Sequence, residues 1–412
     1  MQTATMKSPA AQRWRHRADG PQAQASRDAL AALELKGLPD GGASLRRCTI
    51  LLFGLGAVGG LMLQQLVRLG VQHIIACDPD TYDSDSFATQ PCNMADSGRA
   101  KALVQFQHAR RINPAVELDF YQCDLQELPL ALVRSADLLV GSPDNANAMV
   151  HAGRQAASLG KCLIQAAVDP ESWSLLVRGY DLRDPQAACP ACALGEAEWR
   201  RLTSRVGCDP QTARREQGES TRSPAMVTAA AASLGVAEAV KRLTGQHSLA
   251  LNGEEYLLSL KTNRGWRTRL DRNSRCRCPH QRWNTIEETR HPREVTLCDL
   301  ARHAGLAEPD DLLQVRGEQP WFSWAGCTEC NRRAAVRSFA RMGETLRTCE
   351  CGSDVLAAGS TGWRSVLPAA DLRDCWRLPL SELGFAPGQA LGFAREEEWT
   401  YVFFDTLSTG GE

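Results

Sequence analysis

The sequence lacks several features that would point to particular classes of protein. It contains no apolar run long enough to cross a lipid bilayer, so we expect no membrane-spanning helix. Its formal net charge is only −1, which argues against a general affinity for nucleic acids or other polyanions. Residues 1–26 are polar and have no apolar core, so we expect a flexible arm there rather than a secretory signal. Together these absences favour a cytoplasmic protein.

The chain is long enough for more than one domain. It has 412 residues, and its apolar content of 43% is that of an ordinary soluble protein. Strand and helix patterns alternate in its first half, whereas cysteine pairs dominate the last third. We therefore expect a flexible arm over residues 1–26, a first domain over residues 27–284 and a C-terminal module over residues 285–412.

A glycine-rich turn follows the first apolar strand, expected over residues 49–53. Gly54, Gly56 and Gly59 stand in this turn, before an apolar helix pattern. Glycines allow a tight turn and let backbone N–H groups approach a phosphate at the positive end of a helix. A second strand, about twenty residues further on, ends at Asp78, which is placed to accept hydrogen bonds from a ribose. The pattern indicates a nucleotide site, although nicotinamide oxidoreductases use the same geometry.

Strands and helices alternate over residues 48–168. We expect strands over residues 49–53, 73–77, 116–121, 137–140 and 162–167, and helices over 57–69, 99–112, 126–133 and 145–159. Such alternation predicts an α/β fold with a doubly wound, mainly parallel, Rossmann-like sheet that binds ligands at the carboxyl ends of its strands. Beyond it we expect a strand over 173–179, an Ala-rich helix over 224–243, a strand pair over 254–260 and 264–270, and a final strand over 399–404.

Sixteen cysteines are an unusual number, and half of them stand in close pairs. The pairs are Cys189/Cys192, Cys276/Cys278, Cys327/Cys330 and Cys349/Cys351. A disulfide framework belongs to small secreted chains, whereas paired thiolates in a reducing compartment indicate zinc. The last two pairs form a self-contained zinc-ribbon pattern over residues 327–352. We expect this ion to be structural, because a closed four-thiolate site has no open position for catalysis.

Several short motifs follow one another between residues 45 and 280. After the glycine turn they are Asp78-Pro79-Asp80, Gln90 at the end of a polar loop, Gly98-x-x-Lys101, Ile112-Asn113-Pro114, Asp144-Asn145, Cys189-x-x-Cys192 and a helix opening at Pro224. Each motif is weak alone, but the ordered set is specific. It resembles the superfamily of ubiquitin-activating enzymes that includes ThiF, MoeB and HesA.

The resemblance implies ATP-dependent adenylation of the C-terminal glycine carboxylate of a ubiquitin-like or sulfur-carrier protein. The carboxylate attacks the α-phosphate of ATP, and pyrophosphate leaves. Lys101 would place a positive charge at the phosphates, Asp144 would carry Mg²⁺, and Asp78 with Asp80 would hold the ribose. The residues expected to bind the nucleotide are Gly54, Gly56, Gly59, Asp78, Asp80, Gln90, Lys101, Asp144 and Asn145. Two alternatives stay open: Lys101 could be a solvated helix lysine, and Asp144 could also cap the helix that begins near Asn145.

Two departures from the family pattern concern the polar loop. Ser86 and Thr89 stand where the family has Asn and Arg residues that contact the nucleotide. Arg99 could supply the missing positive charge. The family also borrows an N-terminal arginine from the partner protomer, which makes Arg27 the candidate here and implies a homodimer.

The resemblance also implies that the first two cysteine pairs meet in one structural zinc site. Its ligands would be Cys189, Cys192, Cys276 and Cys278, so we expect two zinc ions in all. The Cys-x-Cys spacing departs from the Cys-x-x-Cys of the family. A site that uses His280 together with Cys278 therefore stays open.

Many family members pass the acyl group to a cysteine that lies before the Pro224-type helix. The residues directly before Pro224 include no cysteine, and Cys208 is the nearest upstream thiol outside a zinc pair. Two neighbouring arginines could lower its pKa, but an inert loop cysteine is an equal alternative. If Cys208 is inert, the enzyme would stop at the acyl-adenylate or use an external acceptor.

The C-terminal module would serve as a docking surface for a ubiquitin-like protein, a sulfur carrier or a conjugating enzyme. It contains Trp321, Trp324, Trp363 and Trp376, and aromatic side chains are frequent in docking surfaces. Three other functions stay open. They are a non-catalytic scaffold of the same fold, an enzyme that adenylates a peptide C-terminus in natural-product biosynthesis, and a nicotinamide oxidoreductase.

Overall fold

The computed structural model describes most of the chain. The described residues are 12–143, 145–204, 222–303, 305, 313–357, 363–396 and 398–404. Two compact units emerge, the first from residues 12–128 and 133–282 and the second from residues 129–132 and the described part of 283–412. The main boundary thus falls between Arg282 and Trp283, against the expected boundary after residue 284.

The first unit is built around one nine-stranded sheet. Its strands are β1 (Gln12–His16), β2 (Thr49–Phe53), β3 (His73–Cys77), β4 (Glu117–Gln122), β5 (Leu138–Gly141), β6 (Cys162–Asp169), β7 (Ser174–Asp181), β8 (Glu254–Ser259) and β9 (Arg264–Arg269). Their spatial order is β1-β4-β3-β2-β5-β6-β7-β8-β9. The central strands, from β4 to β6 in that order, are parallel, and the flanking ones are antiparallel. The α/β fold with a doubly wound, parallel-rich sheet is therefore confirmed.

Helices cover the faces of this sheet because its central strands are apolar on both sides. The helices along this part of the chain are α1 (Pro21–Ala32), α2 (Ala57–Arg68), α3 (Lys101–Ile112), α4 (Leu130–Ser135), α5 (Ala146–Leu159), α6 (Glu196–Ser204) and α7 (Ala225–Leu243). Helices α2 and α7 share one buried core with the central strands. They approach closely at Gly235, where a Cβ would lie 2.7 Å from the Met62 methyl carbon.

One predicted helix differs from the structure. We expected a helix over residues 126–133, but a short 3₁₀ turn covers Leu125–Glu127 and α4 begins at Leu130. Pro129 lies between the two, and the residue before a proline is disfavoured in the helical conformation. The expected helix therefore spans a proline that separates two elements in the structure.

Residues 12–26 do not form the expected flexible arm. Residues Gln12–His16 form the edge strand β1, antiparallel to β4, and α1 begins at Pro21. Arg13, Arg15 and Arg17 bind the buried carboxylate of Asp119 on β4, with N–O distances of 2.7 to 3.0 Å. Charge pairing rather than an apolar pattern thus orders this segment. Residues 1–11 lie outside the described part of the chain.

The second unit contains two smaller sheets and the helix α8 (Leu297–His303). Its strands are β10 (Asn284–Glu288), β11 (Leu313–Gly317), β12 (Trp321–Cys327), β13 (Arg333–Phe339), β14 (Thr345–Thr348), β15 (Asp354–Leu356), β16 (Trp363–Arg364), β17 (Leu367–Pro368), β18 (Ala390–Arg395) and β19 (Glu398–Phe404). One sheet has the order β10-β19-β18-β11-β17. The other has the order β13-β12-β15-β14, with β16 beside β12. One buried apolar cluster joins the first sheet to Trp321 and Phe339 of the second, and a smaller cluster lies within the second sheet. Among all the helices described, none combines the length and apolar character needed to span a bilayer.

Candidate functional site

A cavity of about 240 Å³ lies in the first unit at the carboxyl ends of β2, β3 and β5. In a parallel sheet this edge is where ligands bind, because the strand order reverses around β2 and opens a crevice. The residues that line it include Gly54, Gly56, Asp78, Asp80, Thr89, Gln90, Lys101, Cys123, Asp124, Ser142, Asn145, Ala167, Val168 and Ser223.

The glycine turn forms one wall of this cavity. Gly54 has a φ of +82°, a conformation that side chains disfavour, and a Cβ there would lie 2.9 Å from the Ser142 carbonyl oxygen. Gly59 does not line the cavity, but a Cβ on it would lie 1.8 Å from the Gly54 carbonyl oxygen. The first glycine therefore permits the turn, and the third permits the close packing of α2 against it. Space next to this backbone stays open for a ligand.

Asp78 closes the neighbouring wall at the end of β3. Its Oδ2 accepts a hydrogen bond from the Leu55 N–H at 2.6 Å, and its Oδ1 accepts one from the Asp80 N–H at 2.9 Å. Burial raises the pKa of the Asp78 carboxyl to about 6, although the positive charge of Lys101 acts in the opposite direction. The carboxylate thus fixes the shape of the turn and faces the cavity as well.

Lys101 begins α3 and reaches the cavity from the side of Asp80. Its Nζ lies 3.1 Å from Asp80 Oδ2, and its side chain is only 12% exposed. A solvated helix lysine would be far more exposed, so the structure disfavours that alternative. An ammonium group at this place gives the cavity a positive charge beside the glycine turn.

Two polar atoms in the cavity wall have no hydrogen-bond partner among the described residues. They are the side-chain oxygen of Gln90 and the hydroxyl of Ser223, and both are buried. Buried polar groups in proteins are nearly always hydrogen-bonded, so each of these two calls for an explanation. A polar ligand in the cavity would supply the missing partners. Together with the glycine turn in the same wall, they fit a phosphate-bearing ligand.

Of four further predicted site residues, one lines the cavity, one lies on α1, and two lie outside the described residues. Asn145 lines the cavity and caps α5, because its Oδ1 accepts a hydrogen bond from the Ala148 N–H at 2.7 Å. Arg27 is exposed on α1 and binds the Ala18 carbonyl oxygen and the Gln24 side chain of its own chain. Asp144 and Cys208 lie outside the described residues.

The polar loop between β3 and α3 carries the two departures from the family pattern. Ser86 is buried, and its hydroxyl accepts a hydrogen bond from the Asp83 N–H at 2.9 Å, so it supports the loop itself. Thr89 lines the cavity. Arg99 does not line it, because its guanidinium binds Asp96 and Gln107 instead. The expectation that Arg99 supplies the missing charge is therefore not supported.

The first cysteine cluster differs from the expected set of ligands. The ligand atoms of Cys189, Cys192, Cys276 and His280 all lie within 4.8 Å of one another. His280 Nε2 is 3.5 Å from the Cys192 sulfur. Cys278 is buried next to Cys189 but is not one of these four residues. Three thiols and an imidazole are a common ligand set for structural zinc.

The second cluster has the predicted members. The sulfurs of Cys327, Cys330, Cys349 and Cys351 lie within 4.8 Å of one another, between the strands β12 to β15. Four thiols at this spacing could hold one zinc ion in a closed tetrahedron.

Sequence reasoning missed several residues of the cavity wall, including Cys123, Asp124, Ser142 and Ser223. Cys123 and Asp124 directly follow β4, Ser142 follows β5, and Ser223 precedes α7. The first three were detectable, because polar residues just past parallel strands meet at one edge of the sheet. Ser223 gave no such signal, since no strand pattern directly precedes it in the sequence.

The sheet order and the glycine turn at its switch point define a Rossmann-like α/β protein. The family model described as "ThiF family" matches residues 30–280, which is more than half of the chain. The chain therefore belongs to the ThiF family.

Two curated relatives share parts of this sequence. A sulfur carrier protein adenylyltransferase of Thermus thermophilus is 30% identical over 132 residues, which are 32% of this chain and 49% of the relative. A ubiquitin-like modifier-activating enzyme 5 of Dictyostelium discoideum is 22% identical over 204 residues, 45% of this chain and 50% of the relative. The chain thus spans about half the length of these relatives.

Among solved structures, the chain is similar to MccB of E. coli determined with ATP. The two are 16% identical, with a TM-score of 0.46, over 58% of this chain and 69% of the MccB chain.

Proposed function

We propose that this protein uses ATP to adenylate the C-terminal carboxylate of a ubiquitin-like or sulfur-carrier protein. The observation that carries the proposal is the single cavity shared by the glycine turn, Asp78, Gln90 and Lys101. Membership of the ThiF family and the printed names of the two curated relatives support the same reaction.

In this reaction a carboxylate oxygen of the substrate forms a bond to the α-phosphorus of ATP. The bond between that phosphorus and the bridging oxygen breaks, and pyrophosphate leaves with the electron pair. The backbone N–H group of Gly56 would hold a phosphate oxygen, and Lys101 would balance charge that develops there. The Gly54 N–H donates to the Cys77 carbonyl oxygen and so fixes the turn instead. Asp78 would hold the ribose, with Asp80 and Asn145 nearby. Magnesium, when bound, would neutralise the triphosphate, and Asp144 is the residue proposed to carry it.

Two zinc ions complete the proposed set of cofactors. The ligands proposed for the first are Cys189, Cys192, Cys276 and His280, and those for the second are Cys327, Cys330, Cys349 and Cys351. Both ions would stabilise the fold, because four protein ligands leave no position for a substrate. Cys208 as an acyl acceptor, a homodimer that uses Arg27 in trans, and a cytoplasmic location remain proposals from the sequence.

The C-terminal module is proposed to dock the protein partner or a conjugating enzyme. Trp324 supports this role, because it is only half-buried and the Arg333 guanidinium lies 4.4 Å from its ring centroid. Trp321 and Trp376 are buried and serve the core of the unit instead.

A scaffold that binds nucleotide without turnover is the second candidate. Thr89 favours it, because this cavity residue stands where the family has an arginine, and Arg99 is held by other partners. A scaffold would bind ATP and release no pyrophosphate.

ATP–pyrophosphate exchange with candidate Gly-terminated proteins tests the proposal. The wild type should incorporate labelled pyrophosphate into ATP only when the correct partner protein is present. A peptide that ends in a residue other than glycine tests the natural-product alternative. Asp144→Ala and Lys101→Ala should each slow exchange by about a hundredfold or more, on the order of the effect of a lost group that stabilises developing charge. The matched control is Lys36→Ala, which removes an exposed lysine outside the cavity.

The outcomes separate the candidates. Partner-dependent exchange that is lost in both variants and kept in Lys36→Ala supports adenylation. ATP binding without exchange for any partner supports the scaffold. A melting temperature raised by NAD and unchanged by ATP would overturn both and favour an oxidoreductase.

A further inference from the structure

We propose that Ser223 binds the acyl end of the substrate and positions it for attack on the α-phosphate. Ser223 is 0% exposed, its hydroxyl has no hydrogen-bond partner among the described residues, and it lines the cavity. A buried hydroxyl without a partner is unfavourable for folding unless a bound group satisfies it. This inference rests on the proposed adenylation and assigns one further residue to it.

The place of Ser223 along the sheet indicates which part of the ligand it meets. The cavity begins beside β4 at Cys123 and Asp124 and ends beside β6 at Ala167 and Val168. Ser223 directly precedes Pro224 and α7, a helix that packs on α2, β6 and β7. On this basis we assign Ser223 to the β6 end of the cavity.

The nucleotide takes the other end. In the proposed reaction the ribose lies at Asp78 on β3 and the phosphates lie along the glycine turn after β2. The sheet order is β4-β3-β2-β5-β6, so a ligand that continues past the α-phosphate reaches β5 and β6. The group that approaches the α-phosphate from there is the carboxylate of the substrate, or the acyl group of the adenylate.

The chemistry of this end fits an acyl group. A serine hydroxyl can donate one hydrogen bond, and a carbonyl or carboxylate oxygen can accept it. Ala167 and Val168 beside it contribute apolar side chains, so this end can hold a short aliphatic terminus such as glycine. The hydroxyl is neutral, so it can keep the same bond before and after the carboxylate becomes the mixed anhydride with AMP.

The chain around Ser223 is held on both sides. Pro224 has the extended conformation, with φ −57° and ψ 138°, and leads directly into α7. The Arg222 guanidinium lies 2.9 Å from Asp85 Oδ2 in the polar loop. The residue that carries the hydroxyl thus lies between the start of a helix and a residue paired with the polar loop.

The test compares the binding of two probes to the full-length protein by titration calorimetry. One probe is ATP with Mg²⁺, and the other is 5′-O-(glycylsulfamoyl)adenosine, a stable mimic of glycyl-adenylate. Ser223→Ala should bind ATP as the wild type does but bind the mimic about tenfold more weakly, the effect of one lost hydrogen bond. Ser158→Ala is the matched control, because it also removes a buried, unpartnered hydroxyl but lies outside the cavity wall.

Three results would overturn the assignment. Equal binding of the mimic by Ser223→Ala and the wild type would show that the hydroxyl does not meet the acyl group. An equal loss of ATP binding would assign Ser223 to the phosphates instead. A Ser158→Ala variant that loses mimic binding as strongly would mean that the effect is structural. If the wild type bound neither ATP nor the mimic, the proposed adenylation itself would be overturned. A lower melting temperature for Ser223→Ala would show that the hydroxyl supports the fold.

Discussion

Single residues decide the composition of the first metal cluster. The family resemblance implied Cys278 as a ligand, whereas the structure groups His280 with Cys189, Cys192 and Cys276. The sequence could not settle this choice, because Cys278 and His280 are both potential ligands and lie two positions apart. Which of them faces the other ligands depends on tertiary packing.

Zinc content distinguishes the two ligand sets. After dialysis against a weak chelator, we expect about two zinc ions per wild-type chain and about one per chain of His280→Ala, because a three-ligand site binds more weakly. Cys278→Ser is the control and should keep about two. A loss of zinc in Cys278→Ser with full zinc in His280→Ala would restore the ligand set predicted from the sequence.

Asp78 couples the stability of the first unit to pH. Its folded pKa, about 6, lies above the ordinary value of 3.8, so the folded state favours the protonated form. Ionisation therefore destabilises the folded state, and this effect develops as pH rises from the unfolded pKa to the folded one. The free energy of unfolding should fall by roughly 3 kcal/mol in all, because each unit of pKa shift corresponds to about 1.36 kcal/mol.

We expect this pH dependence to disappear in Asp78→Asn. The free energy of unfolding of the variant, relative to the wild type, should rise by up to about 3 kcal/mol between about pH 4 and about pH 7. Urea unfolding of both proteins at several pH values measures it. A constant difference across this range would mean that Asp78 titrates as an ordinary exposed carboxyl.

At the scale of elements, strong apolar periodicity gave reliable predictions. The strands β2 and β3 and the helices α2, α3 and α5 lie within two residues of their expected bounds, since buried apolar side chains set both the pattern and the packing. The strand β1 was missed because its order depends on Asp119, which lies about a hundred residues away in the sequence. A long-range ion pair leaves no periodic signal.

The docking of β1 should depend on Asp119. Hydrogen bonds from His73 and Arg15 outweigh the effect of burial and hold the pKa of the Asp119 carboxyl below its ordinary value. The contribution of Asp119 to the free energy of unfolding is therefore fully present above the unfolded pKa of this carboxyl. It is lost as pH falls through the lower folded pKa. Asp119→Asn should reduce the free energy of unfolding by about 1–3 kcal/mol, since hydrogen bonds to a charged group are lost.

Hydrogen exchange identifies the element affected. In Asp119→Asn, the amides of residues 12–16 should exchange faster, while those of β2 should not change. The matched control is Glu117→Gln on the same strand, whose half-exposed carboxylate lies 3.6 Å from the Arg17 guanidinium. Unchanged protection of β1 in Asp119→Asn would mean that the backbone pairing with β4 suffices.

At the scale of the whole molecule, the two units carry separate metal clusters and separate cores. The second cysteine cluster was predictable because its four cysteines lie within 25 positions of one another in the sequence, from 327 to 351. The change of pattern near residue 284 led to the expectation of a separate C-terminal module. The assignment of residues 129–132 to the second unit was not predictable, because it depends on tertiary contacts of a short segment.

Loss of the ribbon zinc should separate docking from chemistry. Replacing both Cys330 and Cys349 by Ser should remove one of the two zinc ions. We expect exchange with a glycine-terminated peptide to change by less than about threefold, since the proposed nucleotide cavity belongs to the first unit. The same assay with the full protein partner should slow by about tenfold or more if the module docks that partner. An equal loss with both substrates would argue against a docking role.

A crystal structure of the protein with ATP and Mg²⁺ tests the central claim most directly. The account predicts the ribose beside Asp78, phosphate oxygens on the backbone N–H groups of the glycine turn, and Lys101 within hydrogen-bond distance of a phosphate. It also predicts that the side-chain oxygen of Gln90 gains a partner. ATP bound at another place, or a cavity that takes NAD and excludes ATP, would contradict it.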